Sequence, residues 1–472
     1  MKVPKPSWIK EKKSDCWPNK CSPGGVAVAA DSQHTGAALE ETQRLIACRG
    51  VPAIFEAAFR YRGVLVRVDV LERVPGGRWR VIEVKSTTSV KDHHIYDVTI
   101  QRHVAAGCGL RVGLACLMHL NRQYVYDGGR YRYSRLFRIE DVTKEVKRTA
   151  RELPALLRDQ WEVLGRASPP DVDPGPQCED PVTCEFYDVC HEQLPDEHVS
   201  YLRRISPAKV NALLDRGVHL ISEIPEDFPL GTLARRASGA IRGRTVWFSE
   251  DLHAALRQLR YPLSFLDFET LSPALPRHPG MRPYDHIPFQ WSVHCQQKPG
   301  APLRHFEFLA VDESDPRRQF VESLCRALNG KGHIVVYNHA FESTRLNELA
   351  AWLPDYAARI ERIRNRLWDL LPVVRANVYH PGFRGSYSIK SVLPALIPAM
   401  TYEGMDVADG GQAGLAWDRL VRGALESAQK DSLREALLAY CAQDTLAMVR
   451  LVELLRRAAG NRTACASPAP VE

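Results

Sequence analysis

Apolar and polar residues alternate in the first third of the chain in a pattern that predicts a β-hairpin within an α/β domain. Residues 63–74 ("GVLVRVDVLERV") and 78–87 ("RWRVIEVKST") alternate on either side of "PGG", which is typical of two antiparallel strands and their turn. An apolar strand is predicted before them at 53–61, and a helix at 97–109 and a strand at 111–120 follow. We therefore expect a compact α/β domain in this part of the chain.

A second α/β pattern occupies the last part of the chain. The apolar run "YPLSFLDFET" at 261–270 predicts a buried strand, with further strands at 289–295, 304–311 and 332–338 and a long closing helix at 433–460. The predicted fold class is therefore α/β, with two mixed-sheet domains joined by a cysteine patch and a small helical connector. The predicted parts are an N-terminal arm (1–30), a first α/β domain (31–176), a cysteine segment (177–197), the helical connector (198–258), a second α/β domain (259–460) and a disordered tail (461–472).

Composition and charge narrow the class of protein only slightly. Of the 472 residues, 45% are hydrophobic and 25% are charged, as in ordinary globular proteins. No apolar run approaches the roughly 18 residues that a membrane span needs, and the basic start "MKVPKPSWIKEKKSDCWPNK" has no apolar core after it. We therefore expect a cytoplasmic protein without a membrane partner. The net charge of +7 permits a polyanionic partner.

Two carboxylates in the strand at 261–270 indicate a metal site. Asp267 and Glu269 are two residues apart, so their side chains project from the same face of the strand. Crowded carboxylates repel each other unless a cation lies between them. Glu342 follows a neighbouring strand, and Tyr440 and Asp444 share one face of the final helix. Such a set could hold two Mg²⁺ or Mn²⁺ ions for phosphodiester hydrolysis, with the Tyr440 phenol orienting the attacking water.

These residues resemble the motifs of the DEDD 3′-to-5′ exonucleases, which share a ribonuclease H-like fold. "FLDFET" is similar to the first motif, "YNHAFE" to the second and "YCAQD" to the tyrosine form of the third. Glu342 stands where that superfamily usually has Asp. The resemblance covers roughly residues 260–458. In the basic segment 368–396 between these motifs, we expect Asp369, Ser388 and Lys390 to lie in solvated loops.

A second acidic set lies on the N-terminal hairpin. Asp69 is on its first strand, and Glu83 and Lys85 share a face of the second. Two carboxylates and an ammonium suit one metal ion, its water and a phosphate. The order resembles the PD-(D/E)XK nucleases, which have a restriction-endonuclease-like fold, and specifically their RecB-like branch. That resemblance implies site roles for His34 and Gln101, while Ala105 stands at the position of the branch's tyrosine.

Three evenly spaced cysteines follow the first α/β domain. Cys178, Cys184 and Cys190 lack the close C-x2-C pairs of zinc fingers. RecB-like nucleases that carry an iron–sulfur cluster have three cysteines after the nuclease core and one before it. The resemblance therefore implies a cluster of the 4Fe-4S type, with Cys16 or Cys21 as fourth ligand. Zinc and free thiols remain as alternatives.

The order of the parts resembles an uncharacterised bacterial family that fuses a RecB-like nuclease, a cysteine patch and a DEDD-type exonuclease. We therefore expect a metal-dependent nuclease with two centres, acting on DNA or, as the less favoured alternative, on RNA, in repair or in defence against foreign nucleic acid. One alternative is a nucleic-acid-binding scaffold whose sites have decayed. Another is an iron–sulfur or zinc regulatory protein.

Overall fold

The chain divides into two units that are each built around a mixed β-sheet. The computed structural model describes residues 22–30, 33–202 and 205–465, with side chains up to Gly460. The first unit comprises the described residues up to Asp171 together with Pro273–Asp285. The second comprises Val172–Ser272 and the described residues from His286 onward. Cys16, Cys21 and residues 466–472 lie outside the described residues.

Strands and mostly short helices follow one another along the described part of the chain. The strands are β1 (Val26–Ala27), β2 (Ala53–Tyr61), β3 (Val64–Val74), β4 (Arg78–Lys85), β5 (Val112–Leu120), β6 (Phe137–Asp141), β7 (Trp247–Phe248), β8 (Leu263–Leu271), β9 (Ile287–Gln296), β10 (Arg304–Leu309), β11 (Ile334–Val336), β12 (Leu367–Asp369) and β13 (Val378–Tyr379). The helices are α1 (Thr35–Ala47), α2 (Asp92–Gly107), α3 (Tyr133–Leu136), α4 (Thr143–Thr149), α5 (Leu153–Leu164), α6 (Tyr187–Glu192), α7 (Pro207–Leu214), α8 (Thr232–Gly243), α9 (Leu252–Arg257), α10 (Arg317–Ala327), α11 (His339–Trp352), α12 (Ala357–Arg364), α13 (Leu370–Asn377), α14 (Ile389–Leu396), α15 (Gly410–Arg422) and α16 (Ser427–Cys465).

The sheet of the first unit follows chain order from β1 to β6 in its described part. The predicted hairpin is present, because β2, β3 and β4 pair in antiparallel fashion, and β4 then pairs with β5 in parallel. Neighbouring residues of a strand enter different cores. Ile54 packs into the core on one face and Phe55 into the core on the other, as the two-residue period of a strand requires.

The sheet of the second unit has the order β10-β9-β8-β11-β12 in its described part. β8, β11 and β12 run parallel, whereas β9 and β10 are antiparallel to their neighbours. The carboxyl ends of the three parallel strands therefore meet at one edge. Phe265 and Leu266 of β8 enter cores on opposite faces, so this strand is buried on both sides.

Helix α16 packs against this sheet and begins six residues before the predicted start at Leu433. The Gln290 side chain of β9 donates to the Leu437 carbonyl at 2.7 Å, and the Ser292 and Thr445 hydroxyls are 2.8 Å apart. These buried polar contacts fix the register of α16 against β9. The helix continues to Cys465, beyond the predicted domain boundary at 460.

Residues 273–285 connect β8 to β9 but pack with the first unit. The Tyr131 hydroxyl donates to the Pro276 carbonyl at 2.9 Å, and the Tyr284 hydroxyl donates to the carbonyl of Ser86. Leu275 adds apolar contact to the same core. A segment from the middle of the second α/β pattern thus completes the first unit, beside Lys85.

Within the described residues, the structure has no helix that is both long enough and apolar enough to cross a membrane.

Candidate metal centres

Strand β8 presents Asp267 and Glu269 to the base of an acidic cluster in the second unit. Ligand atoms of Asp267, Glu269 and Cys441 all lie within 4.8 Å of one another. The Cys441 thiol on α16 is 3.8 Å from an Asp267 carboxylate oxygen. The β8–β9 register shifts directly after Glu269, so the strand bends where the acidic pair ends.

Glu342 reaches the same cluster from the first turn of α11. It is 2% exposed, and its buried Oε2 atom has no hydrogen-bond partner among the residues that the structure describes. Buried carboxylate oxygens are normally paired, because burial of an unpaired charge costs far more free energy than burial of a neutral polar group. An unpaired oxygen facing other acids fits a cation ligand. Glu342 is not part of the group whose ligand atoms lie within 4.8 Å of one another, but the Asp267 charge acts on its carboxylate.

The pKa values of the cluster reflect its burial and mutual repulsion. Burial, and then the Asp444 charge, raises the pKa of Asp267 well above its usual range. Burial and then Asp267 do the same to the pKa values of Glu269 and Glu342. The Asp267 charge thus acts on acids from both β8 and α11.

Two phenols hold Asp444 at the side of this cluster. The Tyr402 hydroxyl donates to Asp444 Oδ1 at 2.5 Å, and Tyr440 also hydrogen-bonds to this carboxylate. Tyr440 is therefore near the acids, as predicted, and in this structure it contacts Asp444. Tyr402 lies in a loop that carries no motif, so the sequence contained no signal for its role.

Lys390 brings a positive charge to the two phenols. Its ammonium lies 4.9 Å from the ring centre of Tyr440 and 5.4 Å from that of Tyr402. Burial raises the pKa values of Asp267, Glu269 and Asp444, and the positive charge of Lys390 offsets part of this increase. We had expected Lys390 in a solvated loop, and this was wrong: it is in the first turn of α14, beside the cluster.

Asp369 is a capping residue rather than a solvated loop residue. Its carboxylate accepts hydrogen bonds, each 3.0 Å long, from the backbone N–H groups of Asn338, His339 and Leu371. These groups open α11 and α13, so Asp369 ties two helix starts together. Asn338 has a positive φ of 87°, a strained conformation that this cap supports. Ser388 is exposed and accepts from the Lys390 N–H.

A cavity of about 450 Å³ lies next to these capping residues. Its lining includes Asn338, Tyr337, Tyr387 and Arg375. The Arg375 Nε atom is buried without a hydrogen-bond partner. The cavity therefore combines a cation that can donate further hydrogen bonds with two aromatic rings.

The first unit contains the second acidic set. Asp69 of β3 accepts from the Val84 N–H at 2.9 Å, and the Lys85 ammonium is 3.0 Å from a Glu83 oxygen. Burial and the Asp69 charge raise the pKa of Glu83 to about 8. Burial of Lys85 lowers the pKa of its ammonium group, but Glu83 and Asp97 together outweigh this effect, so the pKa is raised.

Helix α2 completes this set with two side chains. Gln101 is buried and donates from Nε2 to Glu83, while its Oε1 atom is buried and has no hydrogen-bond partner in the described part of the chain. Asp97, one turn earlier, pairs with Lys85. The sequence places Asp97 and Gln101 on one helical face, but only the structure shows that Asp97 positions the lysine.

Two further polar residues lie near the start of the first unit. Glu56 has a positive φ of 58° within β2, where the pairing with β3 skips it and Asp69. Such strain in a strand residue is often found at functional sites. His34 is exposed and occupies the position before the first residue of α1.

The three-cysteine segment lies in the second unit. The Cys184 N–H donates to the Cys178 carbonyl at 2.8 Å, so the chain folds back between them, and Cys190 lies on α6. Cys184 and Cys190 are exposed free thiols and Cys178 is half-buried. In the part of the chain that the structure describes, their sulfurs do not form a group within 4.8 Å of one another. The iron–sulfur cluster remains a prediction, with both candidate fourth ligands outside the described residues.

Residues 264–388 match a family described as a domain of unknown function, DUF2779. The matched segment contains Asp267, Glu269 and Glu342, and it ends before Lys390, Tyr440 and Asp444. No curated protein and no solved structure matches the chain.

Proposed function

We propose that this protein is a metal-dependent nuclease whose main centre is the acidic cluster of the second unit, acting as a 3′-to-5′ exonuclease. The observation that carries the proposal is the convergence of carboxylates from three separate elements on Asp267, with a buried, unpartnered oxygen on Glu342. Stability alone does not account for this arrangement, since buried like charges without a cation destabilise a fold.

The cluster fits Mg²⁺ or Mn²⁺, because its donors are mainly carboxylate oxygens and these metals prefer oxygen ligands. Asp267, Glu269, Glu342 and Asp444 would hold the ions. Divalent cations bound there would supply Lewis-acid activation of water and of the phosphodiester. Cys441 adds one soft donor within 3.8 Å of Asp267.

The side chains around the cluster have separate roles in this proposal. In hydrolysis, the water oxygen forms a bond to phosphorus while the bond from phosphorus to the neighbouring nucleotide's oxygen breaks. Tyr440 and Tyr402 orient Asp444 and the water near it through their hydroxyl groups. The Lys390 charge would offset the negative charge that develops on the phosphate.

A nucleic-acid substrate is supported by the cavity beside Asn338. The rings of Tyr337 and Tyr387 can stack against bases, and the guanidinium of Arg375 can bind a phosphate. The cavity volume of about 450 Å³ is in the range of small-ligand sites, about 300–1,000 Å³. DNA is the proposed substrate, and RNA is the less favoured alternative.

The first unit would carry a second nuclease centre of the PD-(D/E)XK type. Asp69 and Glu83 would hold one ion, with the Gln101 Oε1 atom as an unpaired buried acceptor beside them. Lys85, restrained by Asp97, would bind the phosphate. The proposed folds are restriction-endonuclease-like for the first unit and ribonuclease H-like for the second, with an iron–sulfur cluster on Cys178, Cys184 and Cys190.

The proposal is tested by digestion of a 5′-labelled single strand in Mn²⁺. We expect a ladder that shortens from the 3′ end. Glu269→Ala and Asp444→Ala should each lower this activity by about 100-fold or more, since each removes a metal ligand. Glu435→Ala, which removes an exposed carboxylate from the same helix as Asp444, should leave it unchanged.

Lys85→Ala separates the two centres. Alone, it should leave the 3′ polarity of digestion intact. Combined with Asp444→Ala, it should abolish any cleavage that the Asp444→Ala variant retains. Digestion by Glu269→Ala and Asp444→Ala at the wild-type rate would overturn the assignment of the second unit. Binding of the strand without cleavage in Mn²⁺ would instead identify the decayed scaffold.

A further inference from the structure

A basic groove lies at the end of the second sheet opposite to the acidic cluster. Two adjoining cavities of about 550 and 320 Å³ share Arg326, Arg366 and the loop that follows α10. Ser264, at the beginning of β8, lines the smaller cavity. Asp267 is three residues further along this strand, or about 10 Å at the rise of a β-strand. The groove is therefore separate from the candidate metal site.

Cations dominate the lining of this groove, and neither cavity is lined by an acidic residue. The cations are Arg304, Arg326, Lys331, Arg359, Arg362 and Arg366. All except Arg366 are exposed, and none of these exposed five forms an ion pair among the described residues. Neighbouring unpaired cations repel one another, so the groove has a strongly positive potential.

Arg366 fixes the shape of the groove. Its guanidinium donates to the carbonyls of Leu328, Lys331 and Gly332 at 2.8–3.1 Å. Gly332 has a φ of +83°, and a Cβ there would lie 2.1 Å from the Pro262 carbonyl oxygen. The loop between α10 and β11 is thus held rigidly between the two cavities. A preformed surface loses little entropy when a ligand binds.

We propose that this groove binds the sugar-phosphate backbone of a nucleic-acid strand, at a site outside the catalytic centre. Four of the five exposed cations are arginines, whose planar guanidinium groups match phosphate oxygens in pairs. Because the cations surround two adjoining cavities, they suit a polyanion with several phosphates better than a single phosphate. The inference goes beyond the proposed nuclease function, since it depends on these cations and not on the carboxylates.

The test is binding of a labelled single strand to the full chain in EDTA, where no metal-dependent cleavage occurs. The variant Arg326→Ala/Arg359→Ala/Arg362→Ala removes three exposed arginines. It should raise Kd at least ten-fold at low salt. It should also reduce the slope of log Kd against log salt by about 2, because each phosphate contact on a single strand contributes about 0.7.

A matched variant, Arg111→Ala/Arg158→Ala/Arg216→Ala, removes the same charge from exposed arginines outside the groove and should change Kd less than two-fold. Equal weakening by both variants, or no weakening by the groove variant, would overturn the inference. Competition by polyglutamate as effective as that by unlabelled strand would assign the groove to an acidic protein instead. If the groove variant loses binding while wild type fails to cleave in Mn²⁺, the groove stands and the nuclease proposal fails.

Discussion

Asp267 is the residue whose charge connects the acids of the second unit. Its negative charge contributes to the raised pKa values of Glu269 and Glu342, and its own pKa is raised by burial and then by the Asp444 charge. Lys390 offsets only part of this repulsion. The cluster is therefore arranged to favour the binding of cations, at a cost to the stability of the metal-free protein.

The variant Glu83→Gln tests whether a buried carboxylate also destabilises the metal-free protein in the first unit. The pKa of Glu83 is raised from 4.5 to about 8 by burial and by Asp69. Because the pKa of Glu83 is higher in the folded state, its protonation contributes fully to the free energy of unfolding below pH 4.5. This contribution is lost as pH rises through 8. We expect metal-free Glu83→Gln to be more stable than wild type at pH 8.5, by on the order of 5 kcal/mol, and equal to it at pH 4.

Thermal unfolding of the first unit in EDTA at several pH values measures this difference. The control is Glu40→Gln, which changes an exposed carboxylate on α1 and should follow wild type at every pH. A stability difference that is constant with pH would show that folding leaves the pKa of Glu83 unchanged.

At the scale of elements, the site is positioned by helices that begin at the carboxyl edge of the second sheet. Asp369 ends β12 and caps both α11 and α13, so the strand holds the helix that carries Glu342. Parallel pairing of β8, β11 and β12 places these features at one edge. A single carboxylate thus couples the sheet to the candidate metal site.

Asp369→Ala should lower the free energy of unfolding of the second unit by about 2 kcal/mol, because hydrogen bonds from three backbone N–H groups to a charged acceptor are lost. It should also reduce cleavage about ten-fold through displacement of Glu342. Chemical denaturation and Mn²⁺-dependent digestion provide the two measurements. Asp369→Asn keeps an acceptor oxygen and should be intermediate in both, and an Asn variant less stable than Ala would contradict the capping role.

The sequence predicted most of the elements of both sheets because their periodicity is local. β2 and β8 lie where the apolar runs indicated, and the hairpin of β3 and β4 has the predicted turn. The roles of Asp369 and Lys390 were not predictable. Both are polar residues in a segment whose contacts depend on the packing of separate helices, and no local pattern distinguishes a cap from a solvated side chain.

At the scale of the whole molecule, the chain passes between the two units more than once. After β8, residues 273–285 pack with the first unit before the chain returns at β9. Leu271 and Ile287 pair directly at the base of this excursion, so the hairpin of β8 and β9 closes without it. The first unit therefore depends on a segment remote in sequence.

Replacing residues 273–285 by Gly-Gly should lower the free energy of unfolding of the first unit by about 3 kcal/mol, since contacts of Leu275 and Tyr284 are lost. Hydrogen exchange of β2–β5 is the measurement, and β8 and β9 should retain wild-type protection. Tyr284→Phe is the milder variant, because it removes the hydrogen bond to Ser86 but keeps the aromatic ring, and it should cost about 1 kcal/mol. Unchanged exchange in the replacement variant would show that the first unit folds without this segment.

The sequence by itself determined the α/β class, the principal strands and the acidic residues of two candidate centres, because strand periodicity and motif spacing are local properties. The tertiary structure decided which side chains surround those acids. Tyr402 and Lys390 meet Asp444 only through the packing of α14, α16 and the loop between α14 and α15. The Oε2 atom of Glu342 is buried and has no hydrogen-bond partner among the described residues, and this burial depends on the packing of the whole unit.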